Sequence, residues 1–240
     1  IKGDVIAEFP KEIGKFASPR GNYAIQMTST FVHLQGAQYS YKIKYTDITS
    51  LFLLDRPDTM RMALVMCLSL PIRQGNQKYQ YLVLDLHKME HTVRLNLTQE
   101  EIDENESYKG AIAPEMTLSL SSLVAKLFKV LSETPVYVPK AFKSYRDTFC
   151  INCNHKNSDG HLYPLQKNII FINKPTILIQ YTDIEYVEFQ RIDIAANSAS
   201  KSFDILFSVK AGSSSAASTG KQEISYLFQS IDRAEYNFIF

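Results

Sequence analysis

Apolar and polar positions alternate residue by residue through much of this chain, and that period belongs to strands. In NYAIQM the side chains of Tyr23, Ile25 and Met27 fall on one face; FVHL follows, Gly36 offers a turn, and YSYKIKY alternates again. ITSLFLL (48–54) reads as a buried strand ended by Asp55-Arg56-Pro57-Asp58. MALVMCLSL (62–70) is a long apolar strand that Pro71 is expected to stop, because proline has no N–H for a ladder. Gln74-Gly75-Asn76 reads as a turn, so YQYLVLDLH (79–87) forms a hairpin with the strand before it, and TVRLNL (92–97) follows.

The period then changes. In LSLSSLVAKLFKVL (118–131), Leu120, Leu123, Val124, Leu127, Phe128 and Leu131 recur at three and four, which predicts an amphipathic helix with Thr117 or Ser119 as N-cap. Pro135 and Pro139 break the chain, and strand signals restart: TFCINC, HLYPL, NIIFIN, TILIQY, IEYVEF, FDILFSV and ISYLF. At the end Asp232, with Glu235 three residues on, suggests a capping box opening a last helix.

Both halves carry the tetrapeptide YTDI, at 45–48 and 181–184, each time between an alternating strand and an apolar one. Four residues are a weak match; the shared element order around them is the stronger sign of duplication. Asp47 and Asp183 are expected to hold the corner through their own backbone rather than to form a ligand site. About seven strands and one C-terminal helix, used twice, describe a mainly β chain with C-terminal helices. The expectation is a tandem of pleckstrin-homology-like domains, 1–136 and 137–240, each a seven-stranded open barrel closed by a helix.

Composition narrows this picture. The chain has 240 residues, 45% hydrophobic, with 14 Tyr and 14 Phe, enough to bury two cores. Neither end looks natural, so a fragment of a longer protein is expected. Cys67, Cys150 and Cys153 are too few for a disulfide framework and point to a reducing compartment. No apolar run approaches the ~18 residues of a membrane span. The net charge is +1, which provides no strong global field for nucleic acid or lipid. Locally, 139–175 carries Lys140, Lys143, Arg146, Lys156, Lys167 and Lys174 against Asp147 and Asp159, while 100–106 (EEIDENE) holds five acids and no base. Both read first as solvated loop surface, and the basic set as a possible weak phosphate contact.

Little catalytic chemistry can be assembled. GxSxG, P-loop and GxGxxG patterns are absent, and the five histidines have no partners at useful spacing. Cys150-x-x-Cys153 with His155 and His161 has half the spacing of a zinc site. Strand alternation would put the two cysteines on opposite faces, so small core residues are the expectation, with no metal and no cofactor. For phosphoinositide binding, basic residues should cluster on the first strands; SPRGNYAIQM offers only Arg20 and the second half only Lys156.

Four stretches, taken in order, are similar to one known family: SPRGNY (18–23), PIRQGNQKYQYLVL (71–84), GHLYPLQKNIIFINKP (160–175) and SFDILF (202–207). Together they resemble the middle domain of the structure-specific recognition protein, called Pob in yeast, the smaller subunit of the histone chaperone FACT. The similarity runs along essentially the whole chain. It implies a tandem pleckstrin-homology unit in a nuclear, chromosome-associated complex that reorganises nucleosomes during transcription, replication and repair. The implied partners are core histones, the tetramer-forming pair above all, the larger FACT subunit through the full-length protein, and replication protein A. Weak or no direct DNA binding and no membrane binding are implied for this stretch. The implied contact residues are Arg73, Gln74, Gly75 and Lys78 of the RQG loop, with Ser18 and Arg20 of the SPRG turn. Asn22 stands where the family commonly has an arginine, and AGSSSAASTG (211–220) reads as a mobile insertion. The alternative left open is a module binding nucleic acid or phosphoinositide through the 139–175 cations.

Overall fold

The computed structural model describes residues 4–192 and 200–239. The chain divides into two compact units, Ile1–Val138 and Pro139–Phe240.

The first unit opens with three short strands, β1 (Ala7–Phe9), β2 (Lys15–Ser18) and β3 (Arg20–Asn22), that the alternation pattern does not reveal. Next come β4 (Ala24–Met27), β5 (Phe31–Gln35), β6 (Ser40–Lys44), β7 (Ile48–Asp55), β8 (Arg61–Gln74), β9 (Gln77–His87) and β10 (Glu90–Arg94). Helix α1 (Gln99–Glu104), β11 (Glu115–Ser119), α2 (Leu120–Ser132) and β12 (Val136–Tyr137) complete it. These form a four-stranded sheet β1-β4-β5-β6, a six-stranded sheet β12-β7-β8-β9-β2-β3 and the pair β10-β11. Helix α2 turns Leu123, Val124, Leu127 and Phe128 onto the core, all fully buried. Its N-cap is Ser119, whose hydroxyl accepts from the Ser122 N–H; Thr117 is instead a strand residue of β11, opposite Thr92.

Two expectations fail in this unit. Strand β8 does not stop at Pro71 but runs through it to Gln74. The register with β9 slips between Cys67 and Ile72, so Pro71 falls in a bulge where no ladder N–H is required. The acidic 100–106 stretch is not all loop. Thr98 and Glu101 form a reciprocal capping box that starts α1, and Ile102 anchors it in the core.

In the second unit seven strands form one sheet. They are β13 (Ile151–His155), β14 (Ser158–Pro164), β15 (Asn168–Ile172), β16 (Ile177–Gln180), β17 (Ile184–Gln190), β18 (Ser202–Val209) and β19 (Ser225–Asp232). Two antiparallel meanders join through β13 and β19, giving the order β16-β15-β14-β13-β19-β18-β17. Its core includes Phe171, Phe203, Tyr226 and Phe228, with Tyr236 and Ile239 of the short α3 (Tyr236–Ile239) packed against it. Asp232 does cap the C-terminal turn by accepting from the Ala234 N–H, but no capping box forms. Glu235 is buried and accepts from the Tyr145 N–H instead, at 3.3 Å.

The two YTDI copies occupy equivalent corners. Each is one turn of 3-10 helix, Tyr45–Asp47 between β6 and β7 and Tyr181–Asp183 between β16 and β17, closed by the N–H of the following Ile. The flanking backbone angles nearly coincide, φ −69°, ψ 141° at Lys44 against −74°, 134° at Gln180. The side chains diverge. Tyr45 is buried and Tyr181 exposed. The Asp183 carboxylate accepts from the Ser214 and Ser215 hydroxyls (3.1 and 2.6 Å) and the Ser215 N–H.

That contact corrects the reading of 211–220 as a loose insertion. Asp183 holds the serine loop against the edge of β16, where Ser218 accepts from the Leu178 N–H (2.6 Å) and Ser215 from the Gln180 N–H (2.8 Å). Ala216 is fully buried beneath it, and the Tyr226 hydroxyl donates to the Ser215 carbonyl. The loop therefore replaces a neighbouring strand at an exposed sheet edge.

Two expectations follow. Replacing Ser215 and Ser218 together by Ala leaves two strand N–H groups unmet, a cost of about 1–3 kcal/mol for each buried group left unpaired. Urea unfolding measures it, and faster amide exchange at Leu178 and Gln180 locates it. The second concerns acid. Hydrogen bonds hold the carboxyls of Asp183 (chiefly from Ser215) and Asp232 (chiefly from the Tyr145 hydroxyl) below the usual range. Burial pushes Asp204 up, but the Arg191 fork at 2.5 and 2.6 Å and the Ser230 N–H outweigh it and lower it too. A carboxyl depressed in the folded state contributes stability above its unfolded value of about 4, lost as pH falls through the folded value. The thermal midpoint should therefore drop below about pH 4, and less steeply in Asp204→Asn.

Candidate functional site

The β8–β9 hairpin closes with a two-residue turn, Gly75-Asn76, in which Gly75 takes φ +60°, the arrangement of a II′ turn. Gln74 pairs with Gln77, and Arg73 with Lys78. Because strand side chains alternate, these two pairs leave on opposite faces of the hairpin. The six residues expected to form one contact surface are therefore divided. Gln74 reaches into a groove that Arg20 also lines; Arg73 and Lys78 are exposed on the other face, two like charges directly across from each other. Gly75 is the exposed tip, and Ser18 is buried at the β2–β3 turn.

The groove, about 980 Å³, runs beside the short edge strand β3. Its other wall is the β5–β6 turn with Gly36, Gln38 and Tyr39, and its rim includes Lys11, Glu12 and Lys15. Its floor is Tyr23, whose ring is packed edge-on against Phe16 at 5.3 Å. Glycine is required on both sides of that ring. A Cβ on Gly21 would come within 2.9 Å of it, and one on Gly36 within 2.8 Å. Burial raises the Tyr23 hydroxyl above its ordinary value, partly offset by the side chains of Tyr41 and Gln74 that approach it. Tyr41 is pushed up for the same first reason, burial, and stacks on Tyr39 at 6.4 Å. Tyrosine hydroxyls so raised stay neutral and can donate hydrogen bonds at neutral pH. Of the groove's residues the sequence pointed to Arg20 and Gln74 through their motifs; Lys11, Lys15 and Tyr39 carry no motif and are brought there by the fold.

The basic set of the second unit is not one patch. Successive hairpin turns lie at alternate ends of the sheet, so Lys156 and Lys174 are at one end and Lys167 at the other. Three of the six are matched by carboxylates: Lys143 with Asp147, Arg146 with Asp232 and Lys156 with Glu223, at 3.2–3.7 Å. Lys140 is exposed near the start of the unit.

Cys150 and Cys153 are both buried and neither is in a disulfide; burial raises the Cys153 thiol. His155 sits among Phe171, Tyr226 and Phe228, with its Nδ1–H donating to the Leu227 carbonyl at 3.0 Å; burial lowers it, so it is neutral. Among the described residues no three His, Cys, Asp or Glu side chains converge as metal ligands, and no helix is long and apolar enough to cross a membrane.

Comparison with known proteins covers both units. The family model for the SSRP1 PH domain matches residues 4–136, and that for the histone chaperone Rttp106-like middle domain matches 149–240. FACT complex subunit SSRP1 of Gallus gallus is 34% identical over 239 residues, 99% of this chain and 31% of its own length. FACT complex subunit POB3 of Mycosarcoma maydis is 35% identical over 236 residues, 98% and 39% of the two chains. FACT complex subunit pob3 of Schizosaccharomyces pombe is 33% identical over 233 residues, 97% and 43%. The chain thus spans less than half the length of these relatives. With a first unit matched by the SSRP1 PH domain, a second, mainly β unit matched by the Rttp106-like middle domain, and this similarity from end to end, the chain belongs to the SSRP1/Pob3 family of FACT complex subunits.

Proposed function

We propose that this chain is the non-enzymatic histone-binding module of a FACT complex, acting in the nucleus on nucleosome disassembly and reassembly. One observation carries the reading: the first unit matches a domain of SSRP1 and the second a domain of a histone chaperone, over nearly every residue. The module is a pair of domains, 1–136 and 137–240. Its partners are core histones, with the tetramer-forming pair preferred, the larger FACT subunit through the rest of the protein, and replication protein A.

Two surfaces support histone handling. Helix α1 presents Glu100, Asp103 and Glu104 to solvent on a capped, core-anchored turn, so acidic charge is held at a fixed place. Such charge speeds the approach of a basic partner and makes the encounter salt-dependent. Of the residues proposed for the specific contact, Arg73, Gly75 and Lys78 are exposed on the β8–β9 hairpin, Gln74 joins the hairpin to the groove beside Arg20, and Ser18, buried at its turn, shapes that turn rather than touching a partner. DNA or lipid binding through Lys140, Lys143, Arg146, Lys156, Lys167 and Lys174 is disfavoured by their dispersal and pairing.

A pulldown with isolated histone pairs over a salt series tests this reading. Retention of the tetramer-forming pair should fall as salt rises, and Glu100→Lys/Asp103→Lys/Glu104→Lys should weaken it about tenfold or more. Gln74→Lys should weaken it without changing thermal stability. Undiminished retention in both variants, with DNA binding abolished by Lys167→Glu/Lys174→Glu, would sink the proposal.

A further inference from the structure

The groove beside β3 has a charge opposite to that expected of a surface for basic histone segments. Lys11, Lys15 and Arg20 line it against the single carboxylate of Glu12. These three cations have no ion-pair partner among the described residues, as is also the case for Lys42, Lys44, Arg73 and Lys78, whereas Arg56, Arg61, Lys88 and Arg94 of the same unit are each matched by a carboxylate at 2.6–2.9 Å. Strand β3 is the last strand of the six-stranded sheet and pairs only with β2, so its outer edge is open. An open strand edge is a template for an added extended segment. Across from it stands Tyr39, 39% exposed, a ring with an apolar face and a polar tip.

We propose that this groove binds an extended acidic peptide segment of a partner protein, lying along β3 with its carboxylates toward Lys11, Lys15 and Arg20 and an apolar or aromatic side chain against Tyr39. Three features favour such a segment over a nucleic-acid duplex. The site lies between β3 and the β5–β6 turn, with the buried Tyr23 ring at its base. Its amide side chains, among them Gln38 and Gln74, suit a peptide backbone. And the exposed cations Arg73 and Lys78 leave on the opposite face of the hairpin, so no continuous basic track leads into it. The inference rests on the preceding reading only in taking the Arg20–Gln74 side as a contact surface. It assigns that side an acidic ligand and leaves histone charge to α1.

Fluorescence anisotropy with a labelled Asp/Glu-rich peptide carrying one central Phe provides the test, on the whole 240-residue chain. Saturable binding is expected, weakening with salt. Lys15→Glu/Arg20→Glu should weaken it about tenfold or more. Tyr39→Ala, at a half-exposed ring, should weaken it without loss of fold, and Arg73→Glu on the other hairpin face should leave it unchanged. Amide shifts on titration should centre on 20–22 and 35–39. The proposal fails if a Lys-rich peptide binds as tightly. It also fails if Tyr39→Ala and Lys15→Glu/Arg20→Glu both retain full affinity, or if a DNA duplex binds the chain more tightly and loses affinity in the same variants. A chain that retains histones but ignores the acidic peptide defeats this inference alone; one that takes the peptide and ignores histones defeats only the reading above.

Discussion

An open sheet must do something with its edges. Each end strand has N–H and C=O groups with no partner, and the molecule meets this in several ways. At β16 the serine loop supplies hydroxyls in place of a strand. At β6 the outward positions are Ser40, Lys42 and Lys44, and lysines discourage pairing with another chain. At β7 the two residues of β12 add a short parallel strand, reinforced by Tyr137 against the Phe52 ring. Strand β3 has no such cover, and a groove of about 980 Å³ lies beside it.

The same logic explains the glycines and tyrosines of the first unit. A groove with a firm floor requires a large side chain laid flat with backbone close on both sides. Tyr23 provides the area, and Gly21 and Gly36 allow the approach. Its hydroxyl then needs polar company, supplied by Tyr41 and by Gln74 from a hairpin distant in sequence. Packing and the candidate contact surface meet in this way at one ring: Tyr23 floors the groove, and the Gln74 side chain approaches its hydroxyl.

Much of the fold was legible in the chain. Alternation located half-buried strands such as β4 and β6, continuous apolar runs located β7 and β8, which are buried on both faces over much of their length, and the three-four spacing located α2 by its one buried face. What stayed hidden was short or depended on distant residues. Strands β1, β2 and β3 are too brief to show a period, and β11 is a pair partner defined by β10. Pro71 misled because only the register with β9 reveals a bulge there. The serine loop read as a mobile insertion because its role is to satisfy backbone groups of another strand, which composition does not record. At the site, Gln74 and Arg20 were found through motifs. Their separation from Arg73 and Lys78 needed the hairpin register, and Lys11, Lys15 and Tyr39 needed the fold itself.

The paired corners lead to one more point. Residues 45–48 and 181–184 spell the same word and bend the backbone alike, yet only one of the two aspartate side chains fastens a loop. Identity at aligned positions therefore has two meanings within one molecule. At Asp47 what the fold uses is a backbone carbonyl, which accepts from the Ser69 hydroxyl and would survive many side-chain replacements. At Asp183 it uses the carboxylate as well, beside a backbone carbonyl that accepts from the Lys210 N–H at 2.9 Å. A duplicated segment can thus keep its spelling while its atoms divide their duties, and tolerance to change will differ between two letters that any alignment scores as equal.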